Sequence, residues 1–446
     1  MAQATYCIRC RCRPLSLGPA DFAESGIKGA YVMTVFKKNL VAGSILFAGL
    51  GLGLGTVHAD CGIENGTVSI LANDFPALHA VVKGAEACGG GDVAFSKNHT
   101  KDHKDIMVAA LTSNPSEYTS VVVANSTLVT LMNDGLVRPI DDLVAKHGGS
   151  LAKNQLITVD GKVMAVAFMA NAQHLFYRSD VLEAAGVEVP ETYEDVLAAS
   201  KAIKDKGLME HPYIGTFQSG WNLGEEFVNM YMGTGADFFK AGSAELDINN
   251  DHGVATLEML KSLTEYMNPD YLTFDSNAVQ AEWEAGNAAL SNLWGSRAAA
   301  VLDDEGSSAE VTEATGFASA PVLSDAPATT LWWDGFAIAS NTSDEDAEAT
   351  FIAMMNGITT EMANANADEA VWLIDGYTPG EAAVGVAASA RSGAKPYPMV
   401  PYMGALHTAA GAEIVEFLQG SEDASTALAD IEAAYSAAAK EAGFLK

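Results

Sequence analysis

The chain has 446 residues, with 57 Asp or Glu against 25 Lys or Arg, a formal net charge of −32, and 49% hydrophobic residues. So large an acidic surplus repels phosphates and excludes nucleic acid as a partner. The length exceeds one comfortable hydrophobic core, so two α/β lobes are expected.

At the start, residues 1–32 carry Cys7, Cys10 and Cys12 among Arg9, Arg11 and Arg13, without a hydrophobic period. They read as an upstream extension; as a metal site the cluster lacks a second ligand pair. Met33 then opens a secretory signal peptide over 33–59. Lys37 and Lys38 supply the positive region, Leu40 to Leu54 the apolar region, and Val57-His58-Ala59 the cleavage site before Asp60. A lipid anchor at Cys61 is the alternative, but Asp60 stands where such signals want a small neutral residue. Cleavage would leave 387 residues with 19 basic and 55 acidic side chains and two cysteines, Cys61 and Cys88. In an oxidising compartment an isolated pair is most simply a disulfide, here tying the new N-terminus to the end of the first helix.

Thr67 to Ala72 reads as a strand, broken by Asn73-Asp74-Phe75-Pro76 before a helix from Ala77 to Ala87. Asp92 to Phe95 begins another strand, Lys104 to Leu111 a helix, Ser120 to Ala124 a buried strand and Ser126 to Leu136 a helix. This rhythm means a parallel sheet, whose ligands sit at the carboxyl ends of the strands. Further strands follow at Gly161–Phe168 and Leu175–Tyr177, and Thr192 with Asp195 forms a capping box for the helix Val196–Lys204. Ile214 to Trp221 ends a strand on an aromatic, Asp251 to Tyr266 is a long amphipathic helix, and Asn287–Leu293 is a strand ending at Trp294. In Leu331 to Ser340, strand alternation lets only one of Trp332 and Trp333 face a core. The other, with Asp334, is left for a surface or a cleft; the competing reading is a core strand with a bulge at Gly335. A second capping box at Ser343–Asp346 starts a helix, and the last hundred residues are helical.

Several segments resemble the extracellular solute-binding proteins of ABC importers, in the sugar-binding family that includes the maltose-binding type. Leu175-Phe176-Tyr177-Arg178-Ser179-Asp180-Val181-Leu182 resembles the family's L-I-Y-N-K-D-L-F stretch. Val189 to Asp195 is similar to its P-x-T-W-x-E stretch, with Tyr193 in place of Trp. Gly286–Trp294 is similar to G-x-x-A-M-x-x-x-x-x-W, and Gly335–Ser340 to G-G-x-x-x-A-I. The resemblance spans most of the mature chain. Two departures bear on the ligand rather than the family: Ala167 replaces a frequent proline, and an acceptor-rich loop is reduced to Asn125-Ser126-Thr127.

The resemblance implies the two-lobed (type II) periplasmic-binding-protein fold, closing by a hinge over a solute and recognised by a membrane permease. It places one α/β lobe at 60–168 and 318–337 and the other at 169–317 and 338–446. Crossings are expected near Phe168–Ala170, Phe317–Pro321 and Phe336–Ser340. The protein is expected to be a periplasmic monomer that needs neither cofactor nor metal.

The ligand candidates are strand-end aromatics and polar groups, each with a structural alternative. Trp294, Trp221 and Trp333 with Asp334 would stack on and bond a sugar; otherwise they pack in the core. Asp74 and Phe75 end the first strand, or else serve as cap and staple. Asn125 and Asn171 are hydroxyl partners or turn residues, and Arg297 clamps a diol or carboxylate or pairs with an acidic neighbour. Trp372 and Tyr402 are placed on the rim. His99 and His103 lack a third metal ligand and read as surface.

Two rivals stand beside a binder of a neutral sugar, glycoside or polyol. A secreted glycoside hydrolase needs two carboxylates across a cleft, for which Asp74, Glu225, Glu226 and Asp334 are the candidates; no nucleophile elbow or phosphate loop accompanies them. The same fold could instead hold a betaine or polyamine through cation–π attraction in an acidic field.

Overall fold

A computed structural model describes residues 61–303, 306–324 and 326–446. The upstream extension and the signal peptide over 33–59 lie outside the described residues. Twelve strands follow in chain order: β1 (Gly66–Ala72), β2 (Val93–His99), β3 (Ser120–Ala124), β4 (Leu156–Val159), β5 (Lys162–Asn171) and β6 (Gln173–Arg178), then β7 (Tyr213–Gly215), β8 (Leu290–Trp294), β9 (Thr315–Ala318), β10 (Thr330–Ile338), β11 (Val371–Trp372) and β12 (Lys395–Pro396).

They form two sheets. The larger runs β11-β5-β10-β3-β1-β2, with β4 added to β5 and β12 to β10; the smaller runs β7-β8-β6-β9. β1 is parallel to β2 and β3, as the strand–helix rhythm requires, whereas β10 is antiparallel to both β3 and β5. Both sheets are covered by helices, and their central strands are apolar runs: β3 reads SVVVA and β8 LSNLW, almost wholly buried.

Local chemistry sets the element ends. Thr192 accepts from the Asp195 amide while the Asp195 carboxylate accepts from the Thr192 amide, starting the helix Tyr193–Asp205. Ser343 caps the helix Asp344–Gly357 by accepting from the Asp346 amide, but the pair is not reciprocal: the Asp346 carboxylate accepts from the Ser343 hydroxyl and from the Thr67 amide instead. Cys61 and Cys88 form a disulfide that holds the first described residues to the end of the helix Pro76–Glu86.

The chain passes between the sheets at Ala172, between β5 and β6, and again over 319–329, between β9 and β10. The third expected crossing, at Phe336–Ser340, falls elsewhere. Phe336 to Ile338 pair with β3 inside the larger sheet. The helix Asp344–Gly357 then packs on β1 and on the helix Pro76–Glu86, and β11 pairs with β5. The chain leaves the larger sheet only after Trp372, so the stretch from Asp344 to Trp372 keeps company with β1 and not with the smaller sheet. The apolar face of that helix explains this: Ala347, Phe351 and Met354 join the core formed by Val68, Leu78 and Val81.

Candidate functional site

The helix Trp221–Met232 begins after Gly220, whose φ of +98° suits glycine. It packs closely on the helix Met403–Leu418 because glycines lie at both contact points. A Cβ on Gly224 would stand 2.4 Å from the His407 carbonyl oxygen, and one on Gly411 would stand 2.0 Å from that of Gly220. This approach seats the His407 ring against Trp221, with centroids 4.8 Å apart.

Around Trp221 the other aromatics assemble from separate elements. Trp294 ends β8 and stacks at 6.2 Å; Trp332 from β10 meets Trp221 edge-on at 5.9 Å and Trp294 at 6.1 Å. Tyr397, carried in by β12, lies 4.2 Å from Trp332. Trp294 and Trp332 are buried, but Trp221 keeps 40% of its surface exposed. An indole of that exposure in an aromatic cluster offers a face for the C–H side of a ring or polyol.

Two carboxyls accompany the aromatics. Glu225, one turn along the helix from Trp221, is fully buried. Its Oε1 accepts from Trp332 Nε1 at 2.9 Å and from Thr330 Oγ1 at 2.8 Å. Its Oε2 has no hydrogen-bond partner. Burial raises the Glu225 pKa to about 8, against the opposing effect of the Thr330 and Trp332 bonds. Asp334 shares Trp332's side of β10, and burial lifts its pKa to about 7 with Lys104 opposing.

His407 is 3.8 Å from Glu225 Oε2, but the contact is not an ion pair. Its Nε2 lies 2.8 Å from the Trp221 carbonyl oxygen and must donate, which leaves Nδ1 to accept from the Tyr397 hydroxyl at 3.0 Å. The ring is therefore neutral, and burial lowers its pKa to about 4.

Lys104 completes the cluster. It stands on the helix His103–Thr112, whose Met107 and Leu111 pack under β1 and β3. Its Nζ lies 4.5 Å from the Trp221 ring centroid, and its ammonium is attracted by Asp334 first and then by Glu225 and Asp105. Burial lowers its pKa.

Behind Glu225 runs a buried polar chain. Thr330 Oγ1 is 2.7 Å from Asn229 Oδ1, Asn229 Nδ2 donates to Gln173 Oε1 at 3.1 Å, and Gln173 Nε2 donates to Glu226 Oε1 at 2.9 Å. Thr216 also donates to Glu226. Burial raises the Glu226 pKa to about 7. Gln173 and Thr330 flank the two passages between the sheets, and Thr329 Oγ1 donates to the Gln173 carbonyl at 2.7 Å.

The structure gathers only some of the residues singled out in the sequence. Trp221, Trp294 and Asp334 meet in one cluster. Trp333 does not join it: it is 9% exposed and packs with Leu71, Leu111 and Val123 on the opposite face of β10. Asn125 is spent on β10, accepting from the Trp333 amide at 2.9 Å and donating to the Leu331 carbonyl. Asn171 accepts from the Ala172 and Ser296 amides, fixing the loop after β8. Arg297 turns to the helix Ser276–Glu284, donating to Gln280 Oε1 at 3.2 Å. Trp372 is buried in the core of the larger sheet, its Nε1 on the Asn366 carbonyl, and is not on a rim. Tyr402 packs on Phe239 and donates to the Ser243 carbonyl. Asp74 is exposed and bound to His79 at 2.8 Å, while Phe75 packs on the core of the larger sheet.

Lys104, Trp332, Tyr397 and His407 were not among the sequence candidates, and Glu225 was weighed only as a catalytic acid. Alternation along β10 carried a signal for Trp332, because i and i+2 share a face and Asp334 is its partner. No sequence signal marks the others. Among the described residues no group of three His, Cys, Asp or Glu could hold a metal ion, and no helix is long and apolar enough to cross a membrane.

A family profile described as bacterial extracellular solute-binding protein matches residues 73–358. A probable ABC transporter-binding protein of Deinococcus radiodurans is 24% identical over 157 residues, which span 34% of this chain and only 37% of that protein. The fold is that of two-lobed periplasmic binding proteins. A solute-binding protein of Agrobacterium radiobacter, solved in complex with ribitol, superposes with a TM-score of 0.71 at 19% identity, covering 83% of this chain and 98% of its own. A maltose-bound protein of T. maritima gives 0.69 at 16% identity over 83% and 99%.

Proposed function

The chain belongs to the bacterial extracellular solute-binding protein family, and on that premise we propose that it captures a neutral sugar, glycoside or polyol and delivers it to the membrane permease of an ABC importer. The observation that carries the reading is the aromatic cluster of Trp221, Trp294 and Trp332 with the Glu225 and Asp334 carboxyls beside it. Indole faces suit the apolar side of a sugar or an extended polyol, and a carboxyl oxygen without a partner suits a hydroxyl. The ligands bound by the two superposed proteins, ribitol and maltose, support the same class.

We assign Trp221, Trp294, Trp332, Glu225 and Asp334 to the solute. Closure brings Lys104 and Asp334, from the larger sheet's half, against Trp221 and Glu225 from the other, with bending at Ala172 and 319–329. Residues 33–59 direct export, and the protein works as a monomer outside the cytoplasmic membrane. It acts as a binder and not as a hydrolase. Glu225 and Glu226 are adjacent on one helix and bond different partners, Trp332 and Gln173 respectively, so they do not form a pair across one bond.

The test is thermal melting against ribitol, mannitol, maltose and a wider sugar panel. A solute at a thousandfold its dissociation constant, bound only by the folded form, adds about 4 kcal/mol of stability. A shift with one such solute, recovered chemically unchanged, supports the reading. Turnover of a glycoside, or no shift with any neutral solute, overturns it.

A further inference from the structure

Resting on the reading that this cleft is the solute site, we propose that Lys104 is its specificity-determining residue: a built-in cation over Trp221 that admits neutral hydroxylated solutes and turns away organic ammonium compounds. Without it, the cleft would have the makings of a cation box. Trp221 presents a partly exposed indole face, Trp294, Trp332 and Tyr397 surround it, and two carboxyls lie at its edge. Such an arrangement binds ammonium groups strongly when desolvated.

In this protein the cation is already supplied by the chain. Lys104 Nζ sits 4.5 Å from the Trp221 centroid, and the charges that attract it are Asp334, Glu225 and Asp105. Among the described residues Lys104 is the cation that acts on both carboxyls, and His407, the other titratable base in the cluster, is held neutral by its bonds to the Trp221 carbonyl and the Tyr397 hydroxyl. The position is also one a solute must share. Lys104 comes from the helix His103–Thr112 and Trp221 from the helix that packs with Met403–Leu418, so the ammonium lies where the two halves meet. A second positive charge entering this space meets like-charge repulsion, whereas a neutral ring or polyol does not.

The experiment compares choline with its uncharged isostere 3,3-dimethylbutan-1-ol, and glucosamine with glucose, by calorimetry on the wild type, Lys104→Met and Lys104→Arg. Each variant's fold is checked by its melting curve, and the arginine variant keeps the charge if the methionine variant fails to fold. The expected result is a gain of tenfold or more in choline or glucosamine affinity for Lys104→Met relative to any change for the matched neutral compounds, shrinking in 1 M salt, with the arginine variant as exclusive as the wild type. Equal ammonium affinity in wild type and Lys104→Met, or an equal gain for the neutral isosteres, overturns the proposal. So does ammonium binding by Lys104→Arg above the wild-type level. Failure of the wild type to bind any neutral solute, with the methionine variant still gaining the ammonium compounds, counts against the sugar or polyol reading and leaves the role of Lys104 standing.

Discussion

Glu225 and Glu226 are neighbours on one helix, both buried, with pKa values raised to about 8 and about 7. A carboxyl whose folded pKa is raised holds its proton in the native state after the unfolded chain has lost it. Its contribution is complete below the unfolded value and is lost as pH rises through the folded value, at about 1.4 kcal/mol per pH unit for each group. The buried histidines His103, His174 and His407, each lowered to about 4, act in the other direction, costing stability as pH falls from 6.5 toward 4. Melting temperature is therefore expected to decline between pH 6.5 and 8, and Glu225→Gln should flatten that decline in a pH series; an unchanged slope would mean that Glu225 ionises normally. Trp333 and Trp221 separate by role. Trp333→Ala, a core truncation, is expected to cost about 3–5 kcal/mol in denaturant unfolding. Trp221→Ala should leave the core intact and weaken solute binding at least tenfold, about 1.4 kcal/mol, in a calorimetric titration. Read from sequence alone, Asp334 stands with its immediate neighbour Trp333 as a ligand pair, with a buried core strand as the alternative. Period-two geometry gives it Trp332 instead, and Trp333 goes to the core.

At the level of elements, the early strands, the capping box at Thr192 and the cap at Ser343 were legible because they rest on local chemistry. Ser120–Ala124 is found with the bounds that its apolar run suggests, and Thr192–Asp195 closes as a reciprocal pair. What was not legible depends on packing between distant segments. Nothing local says that the helix Asp344–Gly357 returns to β1, or that Tyr397 and His407 reach Trp221 from the last hundred residues. Those placements follow from side-chain complementarity across more than a hundred positions. The glycine contact between the helices Trp221–Met232 and Met403–Leu418 gives a test at this scale. Gly224→Ala should force His407 aside, costing about 1–3 kcal/mol in chemical unfolding and weakening solute binding along with it. A fully stable variant with unchanged binding would show that the helices yield without cost. The Cys61–Cys88 link closes a loop of 27 residues, and loop entropy puts its removal at about 3 kcal/mol, readable as the difference between oxidised and reduced melting curves.

The whole molecule carries a net charge of −32, so self-repulsion opposes its compact state and salt relieves it. Melting temperature should rise as sodium chloride goes from low to high concentration, the opposite of what stabilising surface ion pairs alone would give. The two-lobed architecture was legible from length, strand–helix rhythm and the order of loose motifs, whereas the aromatic cluster around Trp221 was legible only in part. Its polar chain from Glu225 to Glu226 ties together both passages between the sheets through Gln173, Thr329 and Thr330.

The tryptophan cluster also has an optical consequence. The chain holds six tryptophans. Three of them, Trp221, Trp294 and Trp332, form a triangle with sides of 5.9 to 6.2 Å, while Trp283, Trp333 and Trp372 are buried in the cores. Indoles at that spacing couple through their strong far-ultraviolet transition, so a paired band there is the expected signature of the triangle. If the proposed solute seats against Trp221, its fluorescence and near-ultraviolet dichroism should change on titration while the three core tryptophans supply a steady background; an unchanged spectrum at saturating solute would place the solute elsewhere.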